Sequence, residues 1–400
     1  MLRKNGAKMA AAALCAFNLL FNAGISSTWG PIMEAYQQRA CTDLMLPANC
    51  TKPPDANSTA IDIGVARTGQ LTLMIGCSNF LSIGLLGELS DARGRRLALG
   101  IALVGQLGSS LLWVLAWQPL SPAAFVVMQT LCGLSGGQFA VYGAVFSSLA
   151  DILVDETVER RAVYFGLMTA LLFLGLVIGP LVVGVITTQL DVAVSSSFGL
   201  SASLYAVLLL LLLLGIVRET RETLAGTLSY SRASPISGIW LLAQHHTTRA
   251  VLGVEVLCML GYCGIASLVP MITITKGFSD LETDAWLSCM FGSFAIGNLF
   301  LVEPMTKRFG APGAVQVSCL FLMLFQGWFG VALQFDALTR FWILVLMCLP
   351  NALAAAWDAP LRYEIRQQRA VGLTHRPSLI VPYCAHRYAC TPVRMLWTGR

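Results

Sequence analysis

Two long apolar runs, residues 67–86 and 97–117, are joined by only ten residues, Gly87-Glu88-Leu89-Ser90-Asp91-Ala92-Arg93-Gly94-Arg95-Arg96. Each run is long enough for a helix to cross a hydrocarbon core of about 30 Å at ~1.5 Å per residue. Helices joined by so short a link run antiparallel, so the link lies at one membrane face. Its three arginines predict that this face is cytoplasmic. Gly87 and Gly94 let the backbone turn, and Asp91 and Arg95 are close enough in sequence to pair across it.

Composition agrees with a membrane solvent. The chain is 56% hydrophobic and 12% charged, against roughly 25% charged residues in a soluble domain. The net charge of +5 comes from basic residues in short loops at helix ends, which excludes a continuous nucleic-acid surface and leaves the lipid bilayer as the expected surrounding. Of the twelve cysteines, Cys15, Cys77, Cys132, Cys258 and Cys348 lie inside apolar runs and read as small buried residues. No metal-ligand spacing or phosphate-binding loop is present, so no cofactor is expected.

In chain order, a basic start (Arg3, Lys4, Lys8) precedes a first span at 9–33 that carries Asn18 and Asn22 on one helix face. Residues 34–66 read as a polar loop holding two N-glycosylation patterns, at Asn49 and Asn57, and the pair Cys41 and Cys50. The loop lies across one span from the arginine turn, so it is expected outside or in a lumen, where a Cys41–Cys50 disulfide is plausible. A fourth span is predicted at about 123–149, an inner loop at 151–161, a fifth span at 162–188 with Gly175, Gly179, Pro180 and Gly184, and a sixth at about 198–217. Residues 218–249 form a basic linker. Spans at 250–275, 284–302, 314–334 and 339–357 follow, the first with Glu255 and Tyr262, the second with Asn298, the last with Asn351 and ending at Asp358. Residues 303–310 stand where the first motif would recur, keeping an acid, two bases and a glycine without the spacing.

Up to residue 370 the inner side receives 17 Lys and Arg and the outer side 5, which predicts a cytoplasmic N-terminus. Residues 371–400 carry Pro377, Pro382 and Pro392 and no run of even ten apolar residues, so no span is expected there. The expectation is therefore ten spans, six in an N-terminal half (1–217) and four in a partial C-terminal half (250–370), with a shifted reading frame or a wrong gene model accounting for the tail.

The spacing Gly87-x-x-x-Asp91-x-x-Gly94-Arg95-Arg96 resembles the loop between helices two and three of the major facilitator superfamily. Within it, residues 131–137 (Leu-Cys-Gly-Leu-Ser-Gly-Gly) and 147–152 (Ser-Ser-Leu-Ala-Asp-Ile) look like the proton-coupled folate transporter branch of solute carriers. The resemblance covers roughly residues 10–370. It implies an all-α polytopic bundle of two halves that rock around a midplane site, a carrier rather than an enzyme, in a plasma or endolysosomal membrane. It also implies a gating role for Gly87, Asp91, Gly94, Arg95 and Arg96, and for Asp151 paired with Arg160 or Arg161. The chain departs from that branch at two places: Gln129 stands where the fourth helix often has an arginine, and Thr169 where folate-transporting members have a glutamate. Thr169 cannot carry a proton, so coupling to H+ stays open. The nearest acids are Glu255 and Asp358.

A polar face is expected to line the solute path. Asn18, Asn22, Asn79, Gln129, Gln138, Tyr142, Glu255, Tyr262, Asn298 and Asn351 are the candidates, since buried polar groups face one another or water. No cluster of basic side chains lies deep in the spans, which disfavours a strongly anionic solute. Two other readings compete. Gly175-x-x-x-Gly179-Pro180 resembles the fifth-helix signature of drug and proton antiporters, and a truncated chain would be a non-transporting membrane protein. Gly133-Leu134-Ser135-Gly136 matches a serine-nucleophile pattern, but the histidines, at 245, 246, 375 and 386, lie outside the spans, and catalysis needs a base.

Overall fold

In lipid, a backbone must bond its own N–H and C=O groups, and all regular structure among the described residues is helical. The structure is a computed structural model. It describes residues 2–47, 58–117, 119–154, 156, 158–189, 195–220, 280–332 and 348–354, with isolated positions at 233, 234, 236, 253, 334, 335, 342, 345 and 346. The helices among them are α1 (Leu2–Ser26), α2 (Trp29–Asp43), α3 (Ser58–Arg93), α4 (Arg95–Leu115), α5 (Pro122–Gly133), α6 (Gly137–Ile152), α7 (Val158–Gln189), α8 (Ser195–Leu213), α9 (Asp280–Phe300), α10 (Val302–Ala332) and α11 (Cys348–Ala354).

Six stretches are long and apolar enough to span: α1 with α2, α3, α4, α5 with α6, α7, and α8. A seventh is α9 continued into α10 across a 55° bend. The run predicted at 250–275 lies, but for the isolated Gly253, outside the described residues, and Glu255 and Tyr262 with it.

Three local expectations are corrected. First, the loop expected at 34–66 is helical on both flanks. α2 runs on to Asp43 and α3 starts at Ser58, because Ala40, Cys41 and Ala60 pack into a small apolar cluster between them and Arg67 pairs with Asp43 at 2.7 Å.

Second, the fourth span is broken. Gly136 (φ 83°) and Gly137 (φ 51°) are left-handed, which side chains with a Cβ avoid. Asn79 of α3 packs so closely that a Cβ on Gly137 would stand 2.7 Å from its Nδ2. The glycine string 133–137 is thus a packing break.

Third, most of 303–310 is helix. The chain leaves helical geometry only at Gly310 (φ 71°, ψ 169°), the same backbone region as Gly94 (φ 109°, ψ 155°). That region is essentially glycine-only, so the chain turns on the same device at Gly94 and at Gly310.

α7 lies between α1 on one side and α9 on the other. The main core holds Phe17, Phe21, Phe146, Phe165, Phe173, Tyr205, Phe291 and Phe294. Gly175 and Gly179 bring α7 against α1: a Cβ would stand 2.7 Å from Asn22 Cβ at the first and 2.7 Å from the Ser27 amide at the second. At the end remote from the arginine turn, Tyr36, Trp113, Trp117, Phe125 and Phe198 form a second cluster. Arg39 clamps it, donating to the Trp117 and Leu120 carbonyls at 2.6 and 2.8 Å with its guanidinium 5.1 Å from the Trp117 ring.

Candidate functional site

The charged network starts at Gly94. Its positive φ stops α3 at Arg93 and lets α4 begin at Arg95. Arg95 then points back across the turn to Asp91, and its Nη1 also donates to Ser90 Oγ at 3.1 Å. Its Nε donates to Asp151 Oδ2 at 3.2 Å. The Arg95 side chain is only 11% exposed, against 54% for Asp91 and 32% for Asp151. The Asp151 pair is the better screened from water, so it weighs more than the exposed i,i+4 pair, which is typically worth ~0.3–0.5 kcal/mol. Thr220 Oγ1 approaches the same Asp151 oxygen at 3.3 Å.

Asp151 is therefore held by Arg95. Arg160 pairs instead with Glu156 at 3.2 Å. Arg161 donates to the carbonyls of Glu156 and Val154. The expected pairing of Asp151 with Arg160 or Arg161 is corrected: α7 starts so soon after α6 that its basic first turn bonds the local connection. Gly87 lies on α3 with open space where its Cβ would be.

Glu219 was not singled out from sequence. Its two carboxylate oxygens accept from the Arg95 and Arg96 amides at 3.0 and 3.1 Å. These are the first amides of α4, which have no partner within the helix, and a carboxylate there is also favoured by the helix dipole. Glu219 arrives because Gly215 (φ 75°) ends α8 in a turn closed by the bonds Gly215 N to Leu212 O and Ile216 N to Leu211 O, each 3.1 Å. The acid's position two residues beyond the sixth apolar run was the one available signal. Arg96 Nη2 completes the contact, donating to the Leu212 carbonyl at 2.7 Å. One brace thus joins the ends of α3, α4, α6 and α8.

Deep in the bundle the nominated polar residues divide. Asn18 and Asn22, both fully buried, meet: Asn22 Nδ2 donates to the Asn18 carbonyl at 2.7 Å, Asn18 Nδ2 donates to the Met168 carbonyl of α7 at 3.0 Å, and the Tyr142 hydroxyl of α6 donates to Asn22 Oδ1. Ser26 Oγ donates to the Asn22 and Gly175 carbonyls at 2.9 and 3.2 Å. Gln129 is elsewhere, bonded to Ser109 of α4 through both amide atoms. Asn79 sits in the α5–α6 break, and Gln138 is half-buried beside it.

The other group lies on α9, which packs against α7, and on α11, which packs against α9 and α10. Asn298 Nδ2 donates to the Phe294 carbonyl at 3.0 Å, and Asn351 Nδ2 donates to the Met290 carbonyl and Ser293 Oγ, each at 2.9 Å. Asn298 Oδ1, Asn351 Oδ1 and Thr169 Oγ1 are buried without a hydrogen-bond partner, the state that a hydrogen-bonding solute or water would relieve. The α7–α9 seam is tight along its length. A Cβ on Gly166 would stand 3.1 Å from the Asn298 carbonyl. Phe173 packs 4.4 Å from Phe294, and Trp29, the first residue of α2, packs 5.7 Å from Phe291. Cys41 is disulfide-bonded. Cys50, Asn49, Asn57 and Asp358 lie outside the described residues.

The family model of the Major Facilitator Superfamily matches residues 9–362. Among curated proteins, the tetracycline resistance protein, class C, of Escherichia coli is 27% identical over 252 residues, 62% of this chain and 59% of that protein. The chain thus spans less than two thirds of that relative's length. Among solved structures, the human organic anion transporter MFSD10 (TETRAN) superposes with a TM-score of 0.59 at 15% identity over 92% of each chain. A mutant of the nucleoside transporter NupG gives 0.55 at 11% identity over 91% of this chain and 84% of that one. At such identities the likeness is one of fold.

Proposed function

The chain belongs to the major facilitator superfamily, and from that premise we propose that it carries a small solute across its membrane by alternating access. The observation that carries the reading is the brace at Arg95. It ties the ends of four helices of the first half into one body, while α7 and α9 carry Thr169 Oγ1 and Asn298 Oδ1, buried polar atoms without a hydrogen-bond partner among the described residues. A rigid half rocking across the α7–α9 seam moves a bound solute from one face to the other.

The solute we propose is neutral or weakly charged and hydrogen-bonding. Among the described residues, no basic side chain joins Asn18, Asn22, Tyr142, Asn298 or Asn351. Kinship with the folate-transporting branch rests on the strings at 131–137 and 147–152, and Thr169 stands where that branch's glutamate would be. We place the arginine turn in the cytoplasm on the 17-to-5 bias of basic residues, and the protein in a plasma or endolysosomal membrane on the sequons Asn49 and Asn57. Glu255 and Asp358 are the acids we assign to any coupled H+.

A second reading, outward drug transport in exchange for protons, is supported by Gly175-x-x-x-Gly179-Pro180, which brings α7 onto α1, and by the relative named for tetracycline resistance. Accumulation of a labelled panel (nucleosides, organic anions, tetracycline) in cells with and without the protein separates the two. Raised accumulation of one solute supports uptake, and lowered accumulation supports efflux. An unchanged panel contradicts both.

A further inference from the structure

We propose that the groove between α4, α5 and α8 holds one acyl chain of an anionic phospholipid, with the lipid phosphate at Arg96. The groove encloses about 720 Å³ and is walled by Leu97, Ile101, Val104, Leu131, Leu209 and Leu213. Val104 is 57%, Leu131 55% and Leu213 71% exposed, so the groove opens outward to the bilayer, away from the α7–α9 seam.

Its length identifies the occupant. The groove starts at Arg96, at the arginine turn, and ends at Gly105, where α4 meets the break in the fourth span. A Cβ on Gly105 would stand 2.9 Å from the Cys132 carbonyl, so this end is closed. Nine residues of helix span ~13 Å, and one leaflet's hydrocarbon is about half of the ~30 Å core. A groove of one leaflet's depth suits a lipid chain. It is too short for a spanning helix and, being closed, is no path for a solute.

Charge identifies the headgroup. Among the described residues, the only charged one lining the groove is Arg96, and exposed Arg93 lies on the same turn. The neighbouring acids are engaged elsewhere: Asp91 and Asp151 by Arg95, Glu219 by the Arg95 and Arg96 amides. Among the described residues no carboxylate pairs with the Arg96 guanidinium. Nη2 has the Leu212 carbonyl, and Nε has no acceptor. A phosphate offers the planar guanidinium the paired oxygens it lacks, and an arginine at a membrane surface attracts anionic lipid.

The test is lipid binding to the purified, delipidated full chain in detergent, read by native mass spectrometry with phosphatidylserine or phosphatidylcholine as probe. It needs no transport assay, so it stands or falls apart from the transporter reading. The wild type should bind phosphatidylserine about fivefold more tightly than phosphatidylcholine. Arg96→Gln should remove that preference. Arg96→Lys, which keeps the charge without the fork, should retain part of it and serves if the glutamine variant does not fold. Val104→Trp should reduce the adduct of both lipids, whereas Leu181→Trp, on an exposed part of α7, should reduce neither. Equal binding of the two lipids by the wild type, or equal adducts in the two tryptophan variants, overturns the proposal.

Discussion

Glu219 serves α4 as an N-terminal cap supplied from 124 residues away. Each of its bonds joins a charged acceptor to an amide that is otherwise unpaired, an interaction worth about 1.5–3 kcal/mol. Glu219→Gln keeps the shape and loses the charge. It should lower the apparent melting temperature in detergent by a few degrees, and Glu219→Ala by more; an unshifted melt in both would refute the capping role. Asp151→Asn should weaken the brace through Arg95 and slow transport about tenfold, whereas Arg160→Gln, whose exposed pair is with Glu156, should leave transport near wild type. Flux assays on the two variants make that comparison. Spacing made the Asp91–Arg95 pair legible, because a short link places both on consecutive turns. Glu219 and the Arg95–Asp151 pair were not legible, because the tertiary turn after α8 and the end of α6 create them.

At the scale of elements, the α1–α7 contact depends on two missing side chains. Gly179→Leu would drive a branched side chain into the backbone of residues 23–27, at the end of α1, and should abolish folded expression or transport. Gly143→Ala, where a Cβ meets nothing within 4 Å, should behave as wild type. Expression and flux of the pair decide it: equal behaviour would mean that the helices do not pack this closely. Gly94→Ala tests the turn. Its φ of 109° with ψ of 155° makes a Cβ strained by roughly 1–3 kcal/mol, and the melt should fall accordingly. The glycines were readable as close-packing residues from their spacing. That glycines 136 and 137 break a span was not, because periodicity of apolar residues runs straight through them and the close packing of Leu86 and Asn79 of α3 against the break is a tertiary contact. The helical flanks of the 34–66 segment escaped for the converse reason: polar residues hid a helix pair held together by Arg67 and Asp43.

At the scale of the molecule, α7 is shared: it packs on α1 and forms the seam with α9. Apolar runs made the six long apolar stretches up to residue 213 readable, since lipid leaves the backbone little choice. They did not reveal which polar residues meet, and Gln129 shows why: its amide satisfies Ser109 within the half, while Asn22 and Tyr142 meet across helices. If the halves rock, the contact of Trp29 with Phe291 at 5.7 Å must open in one state. The most direct test is solute flux into vesicles containing the purified chain with Trp29→Cys and Phe291→Cys, before and after bridging with a cleavable thiol cross-linker. At least one labelled solute should cross faster than in protein-free vesicles, stop on bridging and resume on cleavage. Flux no greater than in protein-free vesicles, or flux that continues through the bridged chain, would contradict alternating access.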